Sequence, residues 1–151
     1  MYDLHILSTD IKIGTDAFAY DTNLSNVHIA DAVLEIGAGA FYKCENLVDV
    51  SFVKDTSLAI IDEGTFATCS NLTHVSFPNT LTSIEDSAFH SCFKLQEIQL
   101  PPKLTTIGDF AFADCRSLEK IIIPNTITSI GDYVFVGCKA LKTVVFDGTE
   151  E

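Results

Sequence analysis

Thiols and imidazoles are the side chains in this sequence that could bind a metal or act as nucleophiles. They comprise five cysteines and four histidines: Cys44, Cys69, Cys92, Cys115, Cys138, His5, His28, His74 and His90. The cysteines recur at spacings of 25 and 23 residues, without the C-x₂-C pairs or clustered histidines of zinc sites. The motifs of serine hydrolases, zinc proteases and phosphate-binding loops are also missing from the sequence. The sequence therefore predicts no catalytic residue, no metal site and no cofactor.

A repeat of about 23 residues organises the whole sequence. Phenylalanine marks its six units, at Phe18, Phe41, Phe66, Phe89, Phe112 and Phe135. A leucine follows each of these residues after six positions, and an isoleucine precedes each by five. Like side chains at like positions indicate units that stack on one another, because one short unit cannot bury its apolar side alone. We therefore expect one solenoid domain over residues 1–151.

Residues 95–109 illustrate the structure expected within a unit. Ile98 and Leu100 alternate with polar residues, as in a half-buried strand, and Pro101 ends that strand. Gly108 would permit a tight corner, and Asp109 would cap a short helical turn. Like strands would stack in parallel with right-handed crossovers. The expected fold is a right-handed, mainly β solenoid, with a parallel sheet on one face and short helical turns and short strands opposite.

The cysteines share one column of the repeat, three residues after the phenylalanine of their unit. The first unit has Asp21 at this position. Parallel Cβ vectors in stacked units do not converge to the distance that a disulfide requires. We therefore expect free thiols that act as small, buried apolar side chains.

One unit in particular resembles the BspA-like leucine-rich repeats, also called the Treponema pallidum type. The resemblance lies in Leu81-Thr82-Ser83-Ile84-Glu85-Asp86-Ser87-Ala88-Phe89, followed by Cys92, Leu95, Ile98 and Leu100-Pro101. It extends over nearly the whole chain, from about residue 4 to residue 146. The resemblance implies a curved solenoid found mostly in secreted or surface-anchored proteins of bacteria and some protozoa, associated with adhesion. It thus implies an extracellular or cell-surface location.

The ends of the sequence depart from the repeat. Asp10 and Asp21 replace an apolar residue and the cysteine of the first unit, as is typical of an end repeat. Leu4 and Ile6, however, match the strand positions of a preceding unit, which favours a fragment of a longer chain. Residues 147–151 offer no obvious cap, so the open ends could also stack on one another.

A two-residue insertion interrupts the unit between Phe41 and Phe66. It lies in Val53-Lys54-Asp55-Thr56-Ser57, where the unit also lacks its proline. Two interpretations stay open, a tolerated surface insertion and a loop that contacts a ligand.

The charge of the chain limits its partners. The formal net charge is -12, the wrong sign for a nucleic acid or an anionic membrane surface. Residues 1–75 hold 11 acids and 3 bases, and residues 76–151 hold 10 and 6, so the N-terminal part is the more acidic. The sequence has no apolar stretch of about 18 residues and no signal-peptide pattern at Met1. The acidity either aids solubility or steers a basic partner. The expected partner is a protein, and no membrane insertion is expected.

The expected binding surface is the outward side of the strands. The core columns repeat one residue type, whereas two outward columns vary, which indicates either a binding role or neutral drift. The predicted protein-binding residues are Asp49, Ser51, His74, Ser76, Glu97, Gln99, Lys120, Ile122, Thr143 and Val145. We interpret the chain as a non-catalytic, adhesin-like module for a host, extracellular-matrix or other protein. The alternative is a structural solenoid segment that self-associates.

Overall fold

The computed structural model describes residues 1–8, 10–30, 33–54 and 56–148. These residues form a parallel β-solenoid of about six coils, one for each repeat. The strands are β1 (Tyr2–Ile6), β2 (Ile11–Ile13), β3 (Leu24–Ile29), β4 (Val33–Ile36), β5 (Asp49–Phe52), β6 (Ile60–Ile61), β7 (His74–Ser76), β8 (Ser83–Ile84), β9 (Glu97–Ile98), β10 (Thr106–Ile107), β11 (Lys120–Ile123), β12 (Ser129–Ile130) and β13 (Thr143–Phe146).

The odd-numbered strands form one face of the solenoid and the even-numbered strands form another. Parallel ladders join β1, β3, β5 and β7 in that order, and a further sheet joins β9, β11 and β13. On the second face, one ladder joins β2 to β4. A separate sheet joins β6, β8, β10 and β12 in that order. Val27 lies opposite Val50, and Val50 lies opposite Val75, so each residue pairs with its counterpart in the next repeat.

The repeated apolar residues form the core, as expected. Phe41, Phe66, Phe89 and Phe112 are fully buried, and their rings stack on one another with centroids 5.4 to 5.5 Å apart. The leucines six residues further along the chain are equally buried in the inner coils. The repeat therefore specifies the core through columns of identical side chains, each of which packs against its neighbours in the adjacent coils.

The expected helical turns are wrong, because the described residues contain no helix. In the coil of Phe112 the chain returns to the first face through consecutive β-turns, and Phe110 and Asp114 have positive φ values of 55°. The N–H groups of Ala111, Ala113 and Cys115 each close a turn by donating to the carbonyl three residues earlier. The N–H groups of Phe110, Phe112 and Asp114, which alternate with them, donate to carbonyls of the next coil.

A helix could not join the coils in this way, because it uses its N–H groups internally and requires negative φ throughout. The role expected for Asp109 was wrong for the same reason. Its carboxylate accepts the N–H of Asp132 in the next coil at 2.7 Å, just as the carboxylate of Asp86 accepts the N–H of Asp109. The aspartates therefore bridge coils.

Gly108 permits two coils to approach each other closely, whereas the sequence predicted that it would permit a tight corner. Its φ is not positive, but a Cβ atom at this position would lie 2.5 Å from the backbone nitrogen of Asp86. Glycine is required here because the preceding coil occupies the space of a side chain.

Candidate functional site

All ten residues predicted for binding lie on the face formed by the odd-numbered strands. They are Asp49 and Ser51 on β5, His74 and Ser76 on β7, Glu97 on β9, Gln99 directly after β9, Lys120 and Ile122 on β11, and Thr143 and Val145 on β13. Asp49, Ser51 and Ser76 are partly buried, and the other seven are exposed. The alternation along β5, β7, β9 and β11 turns these side chains outward and their neighbours into the core, whereas all four residues of β13 are exposed.

The structure divides these residues between two sheets. The ladders of the described residues end at β7 on one side and begin again at β9 on the other. We call β1, β3, β5 and β7 the N-terminal half-face, and β9, β11 and β13 the C-terminal half-face. Asp49 therefore lies opposite His74 in one half-face, while Lys120 lies between Glu97 and Thr143 in the other.

The N-terminal half-face is polar and held by hydrogen bonds between coils. Nδ1 of His74 lies 2.6 Å from Oδ1 of Asp49, and Nδ1 of His28 lies 2.6 Å from the hydroxyl of Ser51. The ring of His28 also stacks on His5, with centroids 4.7 Å apart. These contacts fix the orientation of the side chains before any partner binds.

The C-terminal half-face has a different chemistry. Ile122 and Val145 are exposed aliphatic residues at paired positions of β11 and β13. Lys120 is exposed beside them, on the same strand as Ile122. This half-face offers a small apolar contact surface next to a positive charge.

A groove that the sequence analysis did not predict lies at the ends of β1, β3 and β5. It has a volume of about 180 Å³ and is lined by Leu7, His28, Ile29, Ala30, Ser51, Phe52 and Val53. Leu7, Ala30 and Val53 occupy the corner position that holds Pro78, Pro101 and Pro124 in the later coils. The missing prolines were the signal in the sequence. Val53 also belongs to the insertion, whose Asp55 lies outside the described residues.

A second, wider groove of about 510 Å³ runs over the β-turns of the first four coils. Its lining includes the small residues Gly39, Gly64 and Ala67, together with Tyr42 and His90. The carboxylates of Asp16 and Glu63 also line it. This groove lies on the turns and contains none of the predicted binding residues.

The cysteine column is structural, as expected. Cys44, Cys69, Cys92 and Cys115 are fully buried and free, and Cys138 is partly buried. Each Sγ donates to the carbonyl of the phenylalanine in the preceding coil, over 3.1 to 3.3 Å. Burial raises the pKa of Cys44 to about 11, and raises the pKa values of Cys69 and Cys92 well above the ordinary value.

These thiols are poor nucleophiles, because the reactive thiolate form is disfavoured. Within the described ranges, no group of three or more histidine, cysteine or acidic side chains could hold a metal ion. The same part of the chain contains no helix that is long and apolar enough to cross a membrane.

Comparison with known proteins agrees with the architecture. Residues 11–142 match six copies of the family described as BspA type leucine rich repeat region. A leucine-rich repeat protein from T. pallidum is 30% identical, with a TM-score of 0.78, over 88% of this chain and 62% of that one. One from Bacteroides ovatus ATCC 8483 is 28% identical, with a TM-score of 0.76, over 95% of this chain and 45% of that one.

A third similar structure, a leucine rich cell surface protein from Faecalibacterium prausnitzii A2-165, is 28% identical with a TM-score of 0.62. The match covers 95% of this chain and 47% of that one, so the chain spans less than two thirds of each of these three structures. No curated protein matches the sequence. The six repeats and the stacked coils together show that the chain belongs to the BspA-type leucine-rich repeat family.

Proposed function

We propose that the chain is a non-catalytic protein-binding module that contacts its partner through the face of the odd-numbered strands. The observation that carries this proposal is the contrast between the columns. Inward positions are apolar in every coil, with Val, Ile, Leu or Phe, whereas the outward positions opposite one another change from Asp49 to His74 and from Glu97 to Lys120 to Thr143. Outward side chains do not pack in the core, so their type can change from coil to coil without disturbing the fold. Such a surface is suited to recognition of a partner.

The family supports the same interpretation. Solenoids of stacked repeats present extended surfaces that suit protein partners. The F. prausnitzii relative is described as a cell surface protein. We therefore propose an adhesin-like role in a secreted or surface-exposed protein, with a host or extracellular-matrix protein as partner.

The test compares two triple variants with the unchanged chain. In the first, Glu97→Ala, Gln99→Ala and Lys120→Ala remove exposed groups from the binding face. The matched control removes one acid, one amide and one base elsewhere, with Glu63→Ala, Asn125→Ala and Lys103→Ala, all of which are exposed. Each protein is immobilised and exposed to secreted and extracellular-matrix proteins, and captured proteins are identified by mass spectrometry.

A protein captured by the unchanged chain and by the control, but lost with the first variant, would support the face as the binding site. Loss with the control alone would place binding on the turns, where Glu63 lines the wide groove. Equal capture by all three would remove the C-terminal half-face from the site.

A further inference from the structure

We propose that the N-terminal half-face binds a basic peptide segment of the protein partner, with one large apolar side chain of that segment inserted in the groove at the ends of β1, β3 and β5. This inference rests on the proposed function and specifies the chemistry of the partner. The segment would lie across the half-face, with its lysines or arginines beside the carboxylates there.

The groove has the size and lining of a pocket for one side chain. Its volume of about 180 Å³ is below the range of roughly 300–1,000 Å³ that is usual for sites of drug-sized ligands. Five of its seven lining residues are apolar, and the other two, His28 and Ser51, are polar. A leucine or phenylalanine side chain is the natural occupant of such a space.

The rim of the groove is apolar at positions where this chain could have used proline. Leu7 is 77% exposed and Val53 is 45% exposed, with Ala30 between them in the stack of coils. The later coils carry Pro78, Pro101 and Pro124 there instead. Exposed apolar side chains in adjacent coils are typical of a surface that a partner covers.

Backbone hydrogen bonds join the coils at the groove. The N–H of Ala30 donates to the carbonyl of Ile6, and that of Val53 donates to the carbonyl of Ile29, each over 3.0 Å. Proline could not make these bonds, so the sheet ladder extends further here than in the three coils that carry Pro78, Pro101 and Pro124. A side chain that enters the groove therefore orders little of this protein, which limits the entropic cost of binding.

The charges of the N-terminal half-face favour a basic partner. The strands of the N-terminal half-face carry Asp3 and Asp49 and contain no lysine or arginine. Residues 1–75 hold 11 acids and 3 bases. Of these bases, Lys12 lies 3.1 Å from Glu35 on the other face, and Lys43 lies over the rings of Tyr20 and Tyr42. Lys54, directly after Val53, is the one base next to the groove in the sequence.

The experiment titrates three synthetic peptides into the ¹⁵N-labelled chain and follows its amide signals by NMR. The first peptide is acetyl-KKLKK-amide, which combines positive charge with one leucine. The second, acetyl-KKGKK-amide, keeps the charge and lacks the apolar side chain, and the third, acetyl-EELEE-amide, keeps the leucine and reverses the charge. We expect saturable shifts at Ala30, Ser51 and Val53 with the first peptide, and binding weaker by about tenfold or more with the other two.

Variants test the location. Val53→Ser should weaken binding of the first peptide, whereas Val136→Ser, which alters an exposed aliphatic residue on the turns of the last coil, should leave it unchanged. Asp49→Asn should weaken binding about threefold, more so at low ionic strength, while Asp132→Asn, which alters an exposed carboxylate on the turns of the last coil, should not. Circular dichroism and urea denaturation of each variant show whether it has kept its fold.

Equal binding of the leucine and glycine peptides would overturn the proposal, as would shifts confined to β9, β11 and β13. A lack of any binding by acetyl-KKLKK-amide would also overturn it. Such a failure is distinct from failure of the proposed function, because capture of a protein partner and its loss in the face variant can still succeed through the C-terminal half-face.

Discussion

Replacing Gly108 by alanine tests the close contact between coils that the structure shows. The new Cβ atom would lie 2.5 Å from the backbone nitrogen of Asp86 and 2.6 Å from the backbone carbon of Glu85. Backbone atoms of the neighbouring coil cannot rotate away as a side chain can. The two coils must therefore separate locally by about 1 Å to restore ordinary van der Waals contact.

The expected cost has two parts. Overpacking of this kind costs about 1–3 kcal/mol. Separation of the coils also stretches the 2.7 Å hydrogen bond from the N–H of Asp109 to the carboxylate of Asp86, and loss of such a bond costs about 1 kcal/mol or more. We expect Gly108→Ala to lower the free energy of unfolding by about 2–4 kcal/mol.

Gly14→Ala is the matched control. Gly14 occupies the same position of the first repeat, but nothing lies within 4 Å of the place of its Cβ, and its φ is not positive. Alanine there should be neutral or stabilising by about 0.4–1 kcal/mol, because it restricts the unfolded chain. Urea denaturation followed by circular dichroism gives the midpoint and slope for both variants. Equal midpoints for the two variants would refute the proposed contact between coils.

Three further predictions follow from the core and the binding face. Leu95→Ala should lower the free energy of unfolding by about 2–5 kcal/mol in the same urea assay, because Leu95 is fully buried. Glu97→Ala, Gln99→Ala and Lys120→Ala together should change it by less than about 1 kcal/mol, since all three side chains are exposed, and a larger loss would mean that they support the fold. We expect the free energy of unfolding to fall at alkaline pH, because burial raises the pKa values of the cysteine thiols. Each thiol contributes its full stabilisation below the ordinary cysteine pKa of 9.0. This contribution is lost as the pH rises towards the pKa of the thiol in the fold, which is about 11 for Cys44. Each buried thiol adds a slope of about -1.4 kcal/mol per pH unit in this window, and Cys69→Ala should make the measured slope shallower by that amount.

The core could be predicted from the sequence because each of its columns is a repeated residue type. Ile98, Leu100, Phe112 and Cys115 are all buried where the repeat places them, and Ile98 lies in register with Ile121 of the next coil. The strand register of such a fold can be predicted from the repeat alone, because stacking of similar units places equivalent residues opposite one another.

The turn structure could not be predicted from local sequence in the same way. Asp109 followed by Phe112 and Cys115 has the spacing of a capped helical turn, and this spacing predicted such a turn. The same spacing fits successive β-turns, in which Phe112 and Cys115 again point to one side. Which of the two structures forms depends on hydrogen bonds between coils, such as those that the N–H groups of Phe110 and Asp114 donate to the following coil. The conformational preferences of a short segment carry no information about these bonds.

The cysteines illustrate how contacts between coils determine residue type. The carbonyl of each marker phenylalanine from Phe41 to Phe112 accepts the N–H of the cysteine in its own coil and the thiol of the cysteine in the next. A thiol supplies this second bond without the desolvation cost of a more polar donor. Asp21 occupies this column in the first coil, where its carboxylate accepts a hydrogen bond from the hydroxyl of Tyr2 and another from the N–H of Asn23.

The size of the binding face makes an anchoring groove important. Seven strands about 4.8 Å apart, each about 13 Å long, cover roughly 400–500 Å². A standard protein interface buries about 800 Å² on each partner, so the face of this chain provides little more than half of that area. Interfaces of limited area depend on a few buried side chains for their affinity. An apolar side chain of the partner in the groove beside Leu7 and Val53 would supply such an anchor, and the variable residues around it would then decide which partner fits.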